Sequence, residues 1–183
     1  MKVGVVSLGC VKNRVDTEEM LSFLQKDGFV FTGNAAEAEV LVVNTCGFIN
    51  SAKEESIDTI LEMAEYKKDG ACRVLCVTGC LSQRYGDELT EQIPELDVMI
   101  GVSQYPQLAG LLKKALRGQH TSDVTRGADF TGCGRVLTTP PYTAYVRISE
   151  GCDNRCAYCA IPLIRGPYRS RPMQDILTEM KTL

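Results

Sequence analysis

The chain alternates short apolar runs with segments in which apolar residues recur at helical spacing, and this alternation constrains its fold more than any other feature. Strands that alternate with helices are typical of a parallel sheet joined by crossover helices. The predicted strands are Lys2–Ser7, Val40–Asn44, Arg73–Thr78 and Val98–Ile100. A further short strand is predicted at Phe29–Thr32, where the apolar pattern is weaker. The pattern predicts an α/β domain over residues 1–117, with a doubly wound parallel sheet of the Rossmann or flavodoxin-like kind.

Helix signals lie between these strands. Asn13 is predicted to cap the first helix, and Gly28 to end it. Ser51–Glu54 fits a capping box at the start of the second helix. The predicted buried positions are Val15, Met20, Leu21 and Leu24 in the first helix, Ile57, Ile60, Leu61 and Ala64 in the second, and Leu108, Leu111, Leu112, Ala115 and Leu116 in a later one.

Three cysteines follow three of the predicted strands at their carboxyl ends: Cys10, Cys46 and Cys80. The carboxyl ends of parallel strands share one edge of a sheet, so we expect these thiols to converge on a single site. Glycines beside them, Gly9, Gly47 and Gly79, allow the backbone to bend closely around an inorganic group. The alternative is that they are three ordinary buried thiols, because cysteine is among the most buried residue types.

The other cysteines of this domain and the connector are assigned different roles. Cys76 lies inside an apolar run and is predicted to be core, whereas Cys72 precedes that run and is predicted to be structural. Cys72 is also the best substitute if one of the three predicted ligands is wrong. Cys133 lies between two glycines and is interpreted as exposed and incidental.

Composition restricts the functional class. Nine cysteines are many for a chain that shows neither a leader segment nor a transmembrane run and is therefore predicted to be cytoplasmic, where structural disulfides are rare. Metal or redox chemistry is the better interpretation. Residues 1–134 carry 13 Lys and Arg against 19 Asp and Glu, while residues 135–183 carry 7 against 4. An acidic first domain argues against direct nucleic-acid binding by this fragment.

A second cysteine group, Cys152, Cys156 and Cys159, has a spacing that lets all three thiols turn toward one point in a short loop. Iron-sulfur clusters are held by cysteine thiolates, and three ligands leave one iron of a four-iron cluster open for chemistry. A strand is predicted over Tyr142–Ile148, with a turn at Ser149–Gly151 that places the loop at the carboxyl end of the strand. A zinc site that adds His120 to the three thiols is the alternative, although a solvated histidine is expected.

Residues 118–140 are rich in glycine and have little periodicity, which predicts a linker. After the triad, Pro172 suits the start of a helix whose apolar residues are Ile176, Leu177, Met180 and Leu183. Residues 141–183 are therefore interpreted as the first βα unit of a partial TIM-type barrel, in a chain that ends early. Arg165, Arg169 and Arg171 are predicted either to bind an anionic group or to form a solvated face.

The motif Cys-x-x-x-Cys-x-x-Cys, with Tyr158 before its last cysteine, resembles the signature of radical S-adenosylmethionine enzymes. Further stretches resemble the methylthiotransferase family within that superfamily, and in particular its members that modify a ribosomal protein. They are Ser7–Asp16, Val43–Ser56, Glu150–Cys156, Ile164–Gly166 and Arg169–Pro172.

This resemblance implies two 4Fe-4S clusters, an auxiliary one on Cys10, Cys46 and Cys80 and a radical-generating one on Cys152, Cys156 and Cys159. It also implies that S-adenosylmethionine binds at the open iron of the second cluster, with Tyr158 near its adenine. No side-chain acid is assigned as a catalytic residue, because the cofactors carry the difficult step.

The implied reaction adds a methylthio group to the β-carbon of an aspartate in small-subunit ribosomal protein number twelve. The implied partners are that protein, an electron donor such as flavodoxin and a source of sulfur, with no membrane involved. Since the rest of the barrel and a further family domain are not in this sequence, the chain alone is predicted to be inactive. The alternatives are a tRNA adenosine methylthiotransferase and a non-catalytic iron-sulfur or zinc-binding module.

Overall fold

The computed structural model describes residues 1–125 and 134–183. Cys133 lies outside the described residues. The first part of the chain contains β1 (Lys2–Ser7), α1 (Val11–Lys26), β2 (Val30–Phe31), β3 (Val40–Thr45), α2 (Asn50–Asp69), β4 (Val74–Gly79), α3 (Cys80–Gln92), β5 (Val98–Ile100), α4 (Leu108–Ala115) and β6 (Thr121–Asp123). Short 3-10 helices cover Ala35–Glu37 and Tyr105–Gln107.

Within the described residues these strands form one six-stranded sheet in the order β2-β1-β3-β4-β5-β6, and every neighbouring pair is parallel. The order reverses between β1 and β3, as in flavodoxin-like sheets, whose ligands bind at the carboxyl ends of the strands beside that reversal. The predicted α/β class with a parallel sheet is confirmed for this part of the chain, whereas the predicted start of a barrel stays a prediction. Strands β1 and β5 have the predicted bounds, and β2, β3 and β4 differ from theirs by one residue at one or both ends.

Helices cover both faces of the sheet. Met20 and Leu24 of α1 and Leu108 and Leu112 of α4 pack on one face. The other face holds side chains of α2 and α3: Ile60, Met63, Leu81 and Leu89. Strands β3 and β4 are buried along their whole length because both of their faces are covered.

Several local predictions for the helices are wrong. Helix α1 begins at Val11, so Asn13 lies in its first turn and is buried rather than capping it. Helix α2 begins at Asn50, ahead of the predicted capping box, and no side chain among the described residues caps it. Ile57 and Leu61 are exposed on that helix, since its buried face is formed by Ser56, Ile60, Met63 and Ala64.

Two elements of the sheet domain were not predicted. Helix α3 starts directly at Cys80, without the polar cap that would mark a helix start in the sequence. Strand β6 pairs with β5 and lies beyond residue 117, inside the stretch interpreted as a linker. Its residues Thr121, Ser122 and Asp123 have no apolar alternation. The domain boundaries themselves stay a prediction.

The second part of the chain contains β7 (Ser149–Glu150), α5 (Ile161–Arg165), β8 (Arg169–Ser170) and α6 (Met173–Thr182). The predicted strand over Tyr142–Ile148 is wrong, because the strand lies at the predicted turn and pairs antiparallel with β8. Within the segment 142–148, the Ile148 carbonyl accepts a bond from the Arg171 amide, while Arg147 turns into a buried acidic group. The helix predicted after Pro172 is present as α6.

No helix in the described ranges is both long and apolar enough to cross a membrane.

Candidate functional site

Three thiols of the first part of the chain line one cavity of about 450 Å³. Cys10 directly precedes α1, Cys46 follows β3 and Cys80 begins α3, so they stand at the carboxyl ends of the adjacent strands β1, β3 and β4. All three are free thiols, with Cys10 exposed and Cys46 and Cys80 buried. The three side chains therefore line one cavity, and the expectation that they serve together as ligands of a single group stays a prediction.

The wall of this cavity comes from both parts of the chain. On the side of the sheet domain it includes the apolar side chains of Phe48 and Ile49, together with Lys12. On the other side lie Ile161, Ile164 and Arg165 of α5, the short helix that follows the second cysteine triad. The cavity is thus mostly apolar, with thiols and two cationic side chains as its polar groups.

Two glycines permit the tight backbone around the thiols. Gly9 has a φ of +84°, and a Cβ on it would lie 2.7 Å from Cys46 Cβ and 3.0 Å from Cys46 Sγ. Gly79 has a φ of +104°, and a Cβ there would lie 2.4 Å from the Asn44 side-chain oxygen. Side chains at these positions would both strain the backbone and displace the cysteine-bearing turns.

Asn13 joins the three cysteine-bearing turns by its hydrogen bonds. Its Nδ2 donates to the carbonyls of Leu8 at 3.1 Å and Thr45 at 2.8 Å, the turns that lead to Cys10 and Cys46. Its Oδ1 lies 3.5 Å from Cys80 Sγ. Asn13 therefore fixes the relative positions of the turns, a role that sequence reasoning missed when it assigned the residue to a cap.

A buried group of charges adjoins the thiol cavity. The side chain of Asp16 is 0% exposed and accepts bonds from Arg147 Nη1 at 2.5 Å and Arg165 Nη1 at 2.6 Å. Arg147 also donates to Glu19 at 2.6 Å, and Glu150 pairs with Lys12 at 2.8 Å. Each ion pair joins α1 to the second part of the chain, so the group fastens the two parts together at the edge of the cavity.

The environment of the thiols differs from one to the next. Burial raises the pKa of the Cys80 thiol above its ordinary value, while the guanidinium of Arg165 acts in the opposite direction. Burial also raises the pKa of Cys76, which lies in the core as predicted, and the charge of Asp97 acts in the same direction. Cys72 is buried beneath α2, with its Sγ 3.4 Å from the Val74 carbonyl, and does not line the cavity.

The second triad lies on the loop between β7 and α5. Cys152 and Cys159 are half-buried and Cys156 is exposed. The Cys152 amide donates to the Gly166 carbonyl at 3.1 Å, and the Cys159 amide donates to the Cys156 carbonyl at 3.0 Å. Arg155 adopts the left-handed conformation, with a φ of +48°. These features curl the loop and keep all three cysteines on it accessible.

Other predicted residues are placed as follows. The side chain of Tyr158 is 90% exposed, which leaves its ring available for a contact, although nothing tests the predicted one with adenine. His120 is largely solvated, 3.5 Å from Asp97, and belongs to the far end of the sheet domain. Of the three arginines after the triad, Arg165 is buried among protein groups and Arg171 pairs with Glu179, so neither forms a solvated face.

Sequence reasoning missed the roles of Asn13, Asp16 and Arg147. The available signal was weak, because each is a polar residue in a segment of helical or strand pattern. The roles depend on long-range contacts: hydrogen bonds for Asn13 and an ion pair between Asp16 and Arg147. Arg165 was singled out as a candidate anion-binding residue, and its partner is a carboxylate of the same chain.

Comparison with known proteins identifies similarity along the whole chain. The model of a family described as Uncharacterized protein family UPF0004 matches residues 2–101. The chain is 54% identical, over its full length, to the ribosomal protein uS12 methylthiotransferase RimO of Clostridium tetani. It is 49% identical to the protein of that name from Symbiobacterium thermophilum and 51% identical to that from Acetivibrio thermocellus.

This chain is much shorter than those relatives. It covers 41% of the Clostridium tetani protein, 38% of the Symbiobacterium thermophilum protein and 42% of the Acetivibrio thermocellus protein. The matched part includes both cysteine groups, since each comparison covers 100% of this chain.

Proposed function

This chain belongs to the family UPF0004, and we propose that it takes part in a radical S-adenosylmethionine methylthiotransferase that modifies a ribosomal protein. The observation that carries the proposal is the single cavity lined by Cys10, Cys46, Cys80 and the helix that follows the second cysteine triad. The names of the relatives, which are uS12 methylthiotransferases, support the choice of reaction.

The residues of the first site fit an auxiliary iron-sulfur cluster. Three free thiols are the donor set that such clusters take, and three ligands leave one iron for another group. Gly9 and Gly79 keep Cβ atoms out of the tight turns beside the thiols. In the part of the chain that the structure describes, no three His, Cys, Asp or Glu side chains are grouped as ligands of a single metal ion.

The residues of the second site fit a radical-generating cluster. Cys152, Cys156 and Cys159 are free and lie on one curled loop at the surface. We propose that these three thiols hold the second cluster and that Tyr158, exposed beside them, contacts the adenine of S-adenosylmethionine. When bound, the clusters and S-adenosylmethionine supply the radical chemistry that adds a methylthio group to a carbon with unactivated hydrogens.

The side chains of this protein hold and shield these groups. Asn13 fixes the turns that carry the first three thiols. Phe48, Ile49, Ile161 and Ile164 line the cavity with apolar surface. The ion pairs of Asp16 hold α5, and with it the second triad, against the first site. The two sites are thereby kept adjacent, as expected where one site activates a substrate and the other delivers sulfur to it.

The proposed substrate is an aspartate of small-subunit ribosomal protein number twelve, modified at its β-carbon. The reaction takes electrons from a donor such as flavodoxin and sulfur from a separate source, in the cytoplasm. This chain spans about two fifths of its relatives' length, so the complete reaction is proposed for a protein of the relatives' length.

The test is mass spectrometry on a strain that lacks the gene, complemented with the full-length gene or with its Cys46→Ala variant. We expect the full-length gene to restore a methylthio group on the ribosomal protein and the variant to leave it unmodified. The same cells provide tRNA for analysis. Restoration of a methylthio group on tRNA adenosine alone would show that the tRNA reaction is the correct one.

A further inference from the structure

Arg165 belongs to the segment that carries the second triad, yet its guanidinium lies inside the first site. It ends α5, six residues after Cys159, and only 4% of its side chain is exposed. Its Nη2 donates to Cys80 Sγ at 3.3 Å and to Asn13 Oδ1 at 2.8 Å. The residue therefore contacts one proposed ligand directly and the side chain that positions the others.

The surroundings of Arg165 fix its orientation. A guanidinium stays charged in proteins and presents its donors in a rigid plane, so burial requires partners in defined directions. Asp16 accepts the bond from Nη1 at 2.6 Å and supplies the opposite charge. Asn13 is in turn held by its own bonds to the Leu8 and Thr45 carbonyls. With these partners in place, Nη2 is aimed at the sulfur of Cys80.

The helix that carries Arg165 also closes the cavity. Ile164 packs with Ala160, Cys80 and Val102 in a small apolar cluster of its own. Ile161 and Ile164 form part of the cavity wall opposite Cys10 and Cys46. The first site thus obtains a wall and a hydrogen-bond donor from a segment outside the sheet domain.

Resting on the proposed function, we propose that Arg165 is a positioning residue for the auxiliary cluster. Arg165 holds the Cys80 ligand in place, although it belongs to the segment that carries the ligands of the other cluster. Groups around a metal site that hydrogen-bond to its ligands orient those ligands and tune the metal. Hydrogen bonds to ligand sulfurs and nearby charge set the reduction potentials of iron-sulfur clusters. A positive donor at Cys80 favours the reduced, more negative cluster and slows loss of iron.

The first site is therefore complete only when the segment 161–165 is docked on the sheet domain. Helix α5 connects the two proposed cluster sites, since it contributes to the first site and begins two residues after the last thiol of the triad. Separation of the two parts of the chain would both remove the Arg165 donor from Cys80 and open the wall of the cavity.

The test uses the 183-residue chain with Cys152, Cys156 and Cys159 all replaced by alanine, so that only the first site retains its thiols. After anaerobic reconstitution with iron and sulfide, the midpoint potential is measured by redox titration with electron paramagnetic resonance. The rate of iron loss to a chelator is measured in parallel. Arg165→Gln removes the charge, Arg165→Lys keeps it, and Arg117→Gln removes an exposed arginine as the matched control.

We expect Arg165→Gln to shift the midpoint potential to a more negative value and to lose iron several-fold faster than the parent. Arg165→Lys should recover part of both effects, and Arg117→Gln should match the parent. Circular dichroism identifies any variant that fails to fold. If Arg165→Gln fails to fold, the midpoint potential of Arg165→Lys tests the proposed role of Arg165.

A parent-like potential and rate of iron loss in the folded Arg165 variants would overturn this role. A parent that takes up no iron and sulfide would contradict the proposed function itself, and with it the role of Arg165. Failure of the Arg165 role alone and failure of the proposed function therefore give different results.

Discussion

Asp16 and Arg165 form a fully buried ion pair, with Asp16 Oδ2 and Arg165 Nη1 2.6 Å apart, although they are 149 positions apart in the sequence. The pair joins the first helix of the sheet domain to the segment after the second triad. Arg147 donates to the other oxygen of the same carboxylate. One carboxylate therefore holds two arginines of the second part of the chain, and its removal leaves both without their shared partner.

Asp16→Asn is expected to destabilise the chain by roughly 3–5 kcal/mol, because breaking a buried ion pair leaves an uncompensated buried charge. The measurement is the free energy of unfolding in urea. Glu65→Gln breaks an exposed ion pair with Lys68 and serves as the control, for which we expect no change beyond error. Equal stability of the two variants would show that the buried pair does not hold the two parts together.

Gly79→Ala is expected to destabilise the chain by at least about 2 kcal/mol, because its φ is positive and a Cβ would collide with Asn44 and Thr45. Gly110→Ala is the matched control: Gly110 lies within α4, and a Cβ there meets nothing within 4 Å. Alanine at that position should stabilise the chain by roughly 0.5–1 kcal/mol. Thermal unfolding compares the two, and a tolerated alanine at position 79 would mean that the turn before Cys80 is not constrained.

The stability of the chain should depend on pH through Glu19. Burial raises the pKa of this carboxyl from 4.5 to about 7, and the bond from Arg147 only partly offsets that effect. Folded Glu19 therefore keeps its proton to higher pH than unfolded Glu19, and the contribution of Glu19 to stability is lost as pH rises from about 4.5 through about 7. The negative charges of Asp16 and Glu179 raise the pKa of Glu19 further.

Unfolding of wild type and Glu19→Gln between pH 5 and pH 8 measures this contribution. We expect the variant to gain stability relative to wild type as pH rises, by up to about 3 kcal/mol. The comparison of two chains removes the contributions of other groups. A stability difference that stays constant across this range would show that Glu19 titrates normally.

The parallel sheet was predictable because strands that are buried on both faces have nearly continuous apolar sequences. Runs such as Val40–Val43 are apolar without interruption, and their positions between helical segments indicate a parallel arrangement. The same logic placed Cys10, Cys46 and Cys80 at one edge. Strand β6 escaped prediction because Thr121, Ser122 and Asp123 form an edge strand without apolar residues.

The buried charges around the site were not predictable, because their partners are brought together only by the fold. Asp16 lies in a helix where a charged residue is normally solvated, and nothing local indicates that Arg147 and Arg165 reach it. Asn13 has the residue type of a helix cap and was assigned as one. Its side chain instead donates to the carbonyl of Thr45, the last residue of β3, which is a long-range contact.

We propose that six cysteines of this chain hold two iron-sulfur clusters in two separate sites. The most direct measurement is iron, sulfide and zinc content after anaerobic reconstitution, for wild type, Cys46→Ser, Cys156→Ser and Cys72→Ser. The proposed function predicts about eight irons and eight sulfides per wild-type chain, since each cluster has four of each. Each of the first two variants should lose about half, and Cys72→Ser should lose none. Zinc without sulfide, or equal iron content in wild type and Cys46→Ser, would contradict the claim.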